Sequence, residues 1–302
     1  MSLFWQVDFP ALLAAGLASG LCALLGNFLV LRRESLLGDA IAHAVLPGIV
    51  GGFMLAGALA ASAMLAGALA AALIAAGAIE VVRRLGRIEP GAAMGAVFTV
   101  MFAAGVFMLE QAAARNLHID ADCVLYGQLE DILWLDAPDI WALPREVWTL
   151  AGVFAAAAAA VLLLAKEIRL AVFDPAFAAA LGFRPGLIHL GFVLFVAAAA
   201  IASFEAVGSI LVIAMLICPP AAARLMTDNY RTQILLSTAL GIGSAFAGYG
   251  LAGFAPALLG ASWSLNAAGC IAVVSGLAVA AAALSGPRRF SFAGAAASLD
   301  RG

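Results

Sequence analysis

The sequence predicts an all-α fold, a bundle of helices that crosses a membrane many times. Of its 302 residues 65% are hydrophobic and 11% are charged, and the mean hydropathy is +1.10. Soluble domains carry about 25% charged residues, and disordered chains combine low hydrophobicity with high net charge, so both classes are excluded. The formal net charge of −3 gives no electrostatic basis for binding nucleic acid. The four cysteines are far apart and form no CxxC motif, which argues against a disulfide framework and a zinc ribbon.

Nine apolar segments reach or approach the roughly 20 residues that a helix needs to cross a bilayer. They occupy residues 10–31, 36–54, 58–82, 91–109, 147–165, 187–204, 206–223, 232–252 and 264–284. Two of these segments divide one long apolar stretch, so the count is about nine, with eight or ten as alternatives. We assign residues 1–286 to a single transmembrane domain and residues 287–302 to a flexible cytoplasmic tail.

The positive charges predict how these helices are oriented. Thirteen of the fifteen Lys and Arg residues lie at alternate ends of the segments, and only Arg115 and Arg145 fall on the other side. Under the positive-inside rule the N-terminus is outside and the C-terminus is cytoplasmic. Segment 110–146 then lies outside, with eight carboxylates against two arginines. It is either an ordinary solvated loop or a surface that concentrates cations.

Asp39 and His43 are the ionisable residues that stand out within an apolar segment, and such residues are costly in lipid. Their i, i+4 spacing places both side chains on one helix face, about 6 Å apart at Cβ, where they could hold a divalent cation. An Asp–His hydrogen bond that only packs the bundle is the alternative. A closed metal site needs four or more ligands, so a second copy or another helix would have to complete it. Pro47 removes the donor for the His43 carbonyl and predicts a break in the helix beyond the pair.

Three further residues are candidates for the pathway or for a hinge. Glu205 lies within the apolar stretch 187–223, either at a turn on the outer face or facing the pathway. Pro219 and Pro220 remove two backbone donors near the end of segment 206–223, which predicts a gate or hinge there.

A short helix is predicted on the cytoplasmic side at residues 174–183. Asp174 suits the N-cap, Pro175 the first helical position and Gly182 the C′ position. The helix is too short to span a membrane and would expose Phe177 and Leu181. It is a docking element for a partner or for the membrane face, or else a plain connector.

Two catalytic motifs are missing from the sequence. The only lysine, Lys166, has no glycine before it and no Ser or Thr after it, so there is no P-loop and the chain cannot use ATP by itself. There is also no HExxH motif, which argues against a zinc protease. An enzyme is therefore not expected.

Two long motifs resemble the signatures of the bacterial ABC-type manganese/zinc/iron permeases. They are LRRESLLGDAIAHAVLPGIVGGFML at 31–55 and VGSILVIAMLICPPAAARLM at 207–226. The shorter motifs LYGQLEDI at 125–132 and FDPAFAAALGF at 173–183 match in order and spacing. The similarity covers residues 10–285, and Cys218 departs from it by replacing the usual aliphatic residue before proline.

The resemblance implies the permease subunit of an ATP-driven importer of the type II-like class, in the bacterial cytoplasmic membrane. The permease would be a homodimer, with two ATP-binding cassette subunits on its cytoplasmic face and an extracytoplasmic metal-binding protein outside. Asp39 and His43 would line the translocation site, and residues 174–183 would form the coupling helix. The transported metal would be Mn²⁺ first, then Zn²⁺ or Fe²⁺, with no permanently bound cofactor and with ATP on the partner subunit.

Two other transport functions remain open, and a purely structural membrane protein is a third alternative that does not explain the Asp39–His43 pair. A permease for a metal chelate or a vitamin would have a wide pathway that does not need Asp39 and His43. A proton-driven secondary carrier would use Asp39 or Glu205 as its relay and would need no ATPase, but it should show an inverted internal repeat, and none is evident.

Overall fold

The computed structural model describes residues 4–56, 61–114, 129, 132–134, 142–258 and 265–285. Within these residues the secondary structure is helical and no strand occurs. A π-helix, Phe4–Asp8, leads into the first α-helix. The α-helices are α1 Phe9–Leu31, α2 Leu37–Ala44, α3 Leu46–Ala56, α4 Ala61–Gly86, α5 Pro90–Ala114, α6 Arg145–Leu163, α7 Ala165–Phe173, α8 Pro175–Ala180, α9 Pro185–Val207, α10 Ser209–Met226, α11 Tyr230–Leu258 and α12 Ala267–Ser285.

Among the described residues, eight candidate membrane spans are long and apolar enough to cross a bilayer, and α2 and α3 together form one of them, Leu37–Ala56. The all-α, multi-pass fold is therefore confirmed. The predicted segment 206–223 is also helical, as α10, but its apolar part Leu211–Met226 is shorter than the others. The long stretch 187–223 divides at Gly208, whose φ of 80° is a backbone conformation that glycine adopts readily.

The chain divides into two compact units. The central unit comprises residues 31–127 and 152–205, and the terminal unit comprises residues 1–30, 128–151 and 206–302. The predicted tail 287–302 and most of the predicted external segment 110–146 lie outside the described residues.

In the terminal unit, α1 and α11 are joined by an antiparallel ladder of hydrogen bonds. The participating positions recur every four residues on both helices, so each helix presents them on one face. The pairs are Ser19–Gly241, Ala23–Ser237 and Asn27–Gln233, at 2.8, 2.9 and 3.2 Å. Gly241 permits the close approach, because a Cβ there would lie 2.8 Å from the Ala23 Cβ. Small residues and interhelical hydrogen bonds of this kind hold helices together in lipid.

Helix α10 runs through both of its prolines and packs against α1 in the same unit. Pro220 has no N–H, which frees the carbonyl of Leu216. A Cβ on Gly26 would collide with that carbonyl oxygen and with the Pro220 ring. The glycine therefore allows the backbone of α1 to cover the carbonyl that the proline leaves without a helical donor.

In the central unit, glycines bring α3 and α4 into close contact. A Cβ on Gly48 would collide with the carbonyl of Gly67, and one on Gly52 would collide with the carbonyl of Ala63. Gly48 and Gly52 are four residues apart on the face of α3 that meets α4, the arrangement typical of closely packed membrane helices. Val45, Ala68 and Ile201 form a buried cluster that joins this pair to α9. This packing holds α3, the helix that directly follows the one with Asp39 and His43.

Candidate metal site

Asp39 and His43 lie on α2, and the helix brings their side chains together as their spacing predicts. The Asp39 Oδ1 and His43 Nε2 atoms are 3.3 Å apart. The two side chains are 34% and 33% exposed in the single chain, so neither is sealed within the core. A carboxylate oxygen and an imidazole nitrogen at this separation can contact one ion, because metal–ligand bonds of this kind are about 2.0–2.2 Å long.

Two aromatic rings on α5 pack against the imidazole of His43. The ring centroids of Phe98 and Phe102 lie 5.2 and 5.6 Å from that of the imidazole. The two residues are four apart, so they share one face of α5. These two residues could not be identified from the sequence, because nothing local shows which helix packs against α2. The feature of the sequence that could have indicated them is an i, i+4 pair of aromatic residues in the apolar segment 91–109.

The helix that carries the pair is interrupted at Val45, between His43 and Pro47. Opposite this point a Cβ on Gly105 would lie 2.9 Å from the Pro47 nitrogen and 2.8 Å from the Leu46 side chain. Helix α5 therefore approaches the interrupted backbone closely through a residue that has no side chain. Pro47 as a hinge stays a prediction, but its surroundings are tightly packed on the side of α5.

One chain supplies only part of a metal-binding shell. Across the described parts of the chain, no group of three His, Cys, Asp and Glu side chains is placed to hold a metal ion. Glu205 thus does not join Asp39 and His43. It is exposed, in the last turn of α9 just before Gly208, and a role for it in the pathway stays a prediction. Water, a second copy of the chain or a delivered ligand must complete the coordination of any ion at the pair.

The predicted short helix is present as α8, with the predicted cap at its start. The Phe177 N–H donates to Asp174 Oδ1 over 2.9 Å, and Pro175 is the first helical residue. This N-cap satisfies one of the backbone donors that have no partner inside a helix.

The C-terminal end of α8 is closed by a Schellman motif. The Phe183 N–H donates to the Ala178 carbonyl over 3.1 Å and the Gly182 N–H donates to the Ala179 carbonyl over 3.0 Å. Gly182 has a φ of +86°, which the motif requires. Phe177 and Leu181 are 52% and 56% exposed. An ordered two-turn element thus presents apolar side chains to its surroundings.

Comparison with known proteins decides the family. The model of the ABC 3 transport family matches residues 5–285. The chain belongs to the ABC 3 transport family. Proteins of this family are multi-pass proteins of the bacterial cytoplasmic membrane, and separate ATP-binding subunits carry out the ATP hydrolysis. The resemblance found in the sequence is thereby confirmed.

Two relatives are similar to this chain in sequence, and one solved structure shares its fold. The manganese transport system membrane protein MntD of Bacillus subtilis is 37% identical over 282 residues, 91% of this chain and 91% of that protein. The zinc transport system membrane protein TroD of Treponema pallidum is 36% identical over 215 residues, 70% of this chain and 58% of that protein. The structure of PsaBC from Streptococcus pneumoniae in complex with Fab shares the fold, with a TM-score of 0.73 at 24% identity over 92% of this chain and 91% of that one.

Proposed function

We propose that this chain is the permease subunit of an ATP-driven importer that carries a divalent transition-metal ion into the cytoplasm. The main support for the proposal is the Asp39–His43 pair, in which a carboxylate oxygen and an imidazole nitrogen lie 3.3 Å apart inside a candidate membrane span. Ionisable residues are costly within a membrane span, and a pathway for a bare cation gives that cost a function. Membership of the ABC 3 transport family supports the same conclusion.

The preferred substrate is Mn²⁺, followed by Zn²⁺ and Fe²⁺. Carboxylate and water ligands suit Mn²⁺, whereas imidazole also suits Zn²⁺ and Fe²⁺, so the ligand types alone do not separate the three. Relatives named for manganese and for zinc transport both align with this chain. Selectivity then depends on coordination geometry and on the extracytoplasmic protein that delivers the ion.

The working assembly is a homodimer of this chain with two ATP-binding subunits on its cytoplasmic face. A second Asp39–His43 pair from the partner copy would raise the number of side-chain ligands from two to four, the number that a closed site needs. The N-terminus faces outside and the C-terminus the cytoplasm, in agreement with the distribution of Lys and Arg.

Helix α8 couples this permease to the ATP-binding subunits. Its exposed Phe177 and Leu181 fit an apolar groove on the partner, and its two capped ends let it transmit a push as a rigid element. Pro47, Pro219 and Pro220 mark the segments that move when the pathway opens on one side and closes on the other.

Uptake by the reconstituted complex tests the proposal. The full-length chain is placed in proteoliposomes with its ATP-binding subunit, and radioactive Mn²⁺ entry is followed with and without ATP. We expect Asp39→Ala and His43→Ala to reduce ATP-dependent entry by at least about tenfold, since even loss of an outer-shell partner of a metal ligand has that effect. Asp228→Ala and His118→Ala, which remove the same side-chain types elsewhere, should leave entry unchanged.

The same assay separates the alternatives. Entry that persists without ATP and follows an imposed pH gradient would indicate a secondary carrier. Wild-type uptake by Asp39→Ala and His43→Ala would remove the site assignment and favour a permease for a chelated metal.

A further inference from the structure

A cavity in the central unit, separate from the Asp39–His43 pair, is lined by a histidine that has no role so far. It measures about 260 Å³ and lies among α4, α5, α9 and the segment that leads into α2. Its polar walls are formed by Glu34, Glu80, Arg83 and His189, and the remaining walls are apolar. The arginines that the positive-inside rule places in the cytoplasm cluster at this end of the helices. The cavity therefore lies at the proposed inner end of the pathway.

His189 faces Glu34 across this cavity without a hydrogen bond between them. The His189 Nε2 and Glu34 Oε2 atoms are 3.9 Å apart, beyond the hydrogen-bond range. His189 Nδ1 is buried and has no hydrogen-bond partner, and Glu34 is only 5% exposed. A buried polar atom without a partner is unusual in a folded protein. No hydrogen bond through Nδ1 therefore fixes the imidazole, and the ring nitrogen that faces Glu34 is Nε2.

The spacing of these two atoms suits a metal ion. Because bonds from a metal to nitrogen and oxygen ligands are about 2.0–2.2 Å long, an ion between His189 Nε2 and Glu34 Oε2 reaches both. The donors are one imidazole and one carboxylate, the same types as at Asp39 and His43. Glu34 also precedes Asp39 by five positions in the sequence, on the segment that leads into α2.

Arg32 competes for the same carboxylate. Its Nε and Nη2 atoms lie 3.1 and 3.3 Å from the two oxygens of Glu34. Glu80, the other acid in the cavity wall, is paired with Arg83 at 2.7 Å. Two guanidinium groups thus balance two carboxylates, and a divalent cation can be held here only weakly and by displacing Arg32 from part of the Glu34 carboxylate.

We propose that Glu34 and His189 form a second, low-affinity station for the transported metal, and that Arg32 displaces the ion from Glu34 when it is released. This inference rests on the proposed function. An ion passing between two carboxylate–imidazole pairs changes its coordination little at each step. A pathway must bind strongly enough to accept an ion and weakly enough to release it, and two such stations meet that requirement.

Equilibrium dialysis with Zn²⁺ alone tests the station. The full-length chain, purified with its ATP-binding subunit in lipid nanodiscs, carries Asp39→Ala and His43→Ala so that the first pair is removed. We expect about one Zn²⁺ per chain to remain bound. Adding His189→Ala or His189→Gln should weaken this binding by at least about tenfold, and adding Arg32→Gln should tighten it by about fivefold because the competing cation is gone.

A control variant and two contradicting results complete the Zn²⁺ binding experiment. His118→Ala in the same background should change nothing, because it removes a histidine from another part of the sequence. Absence of Zn²⁺ from the Asp39→Ala, His43→Ala chain, or an unchanged Zn²⁺ affinity after both His189 substitutions, would overturn it. In the otherwise wild-type chain, Arg32→Gln should lower both the maximal rate and the KM of Mn²⁺ uptake, which a purely structural role would not produce. Failure of the proposed function is a separate result, namely wild-type uptake by Asp39→Ala and His43→Ala.

Discussion

His43 is held on two sides, by a carboxylate on its own helix and by two rings on α5. Asp39 fixes the direction of the Nε2 atom from 3.3 Å away. Phe98 and Phe102 limit rotation of the imidazole plane from centroid distances of 5.2 and 5.6 Å. A ligand held in this way binds an arriving ion with a smaller loss of side-chain freedom.

Removing the two rings should therefore weaken metal binding without stopping transport. An aromatic contact contributes about 0.5–1.5 kcal/mol, so Phe98→Leu or Phe102→Leu should raise the KM for Mn²⁺ roughly two- to tenfold at an unchanged maximal rate. Phe102→Tyr keeps the ring and should retain the wild-type KM. Initial rates of uptake measure both parameters. An unchanged KM in both leucine variants would show that the rings do not position His43.

At the scale of helices, α8 shows how a very short segment can stay ordered. Six residues cannot maintain a helix by their own propensity. The Asp174 cap at one end and the Gly182 turn at the other satisfy backbone groups that would otherwise have no partner. Both features are local in sequence, and the sequence alone is therefore enough to predict where this element begins and ends.

The proposed coupling role depends on this order and on the apolar side chains. Replacing the N-cap by alanine costs about 1 kcal/mol, whereas asparagine caps as well as aspartate does. Asp174→Ala should therefore reduce co-purification with the ATP-binding subunit, and Asp174→Asn should retain it.

Phe177→Glu or Leu181→Glu should abolish ATP-dependent uptake while Mn²⁺ binding to the chain is retained. Normal co-purification and uptake in both glutamate variants would exclude α8 as the coupling helix.

Across the bundle, features that depend on nearby residues can be predicted from the sequence, whereas contacts between different helices cannot. The fold class, eight of the spans and the Asp39–His43 contact depend on composition or on i, i+4 spacing, and they could be predicted. The contacts of His43 with Phe98 and of His189 with Glu34 join different helices or the segments leading into them. Each span is apolar on all of its faces, so the periodicity of apolar residues does not show which face packs against another helix. These contacts therefore could not be predicted.

His43 is proposed to be a direct ligand of the metal in the assembled transporter. The most direct test is electron spin echo envelope modulation of Mn²⁺, added at less than one ion per chain to the full complex. The chain carries His189→Gln, so that the cavity lined by Glu34 and His189 contributes no imidazole. We predict nitrogen modulation from a coordinated imidazole, lost when His43→Gln is added and retained when His118→Gln is added instead. Modulation that persists without His43, or none while His43 is present, would contradict the account.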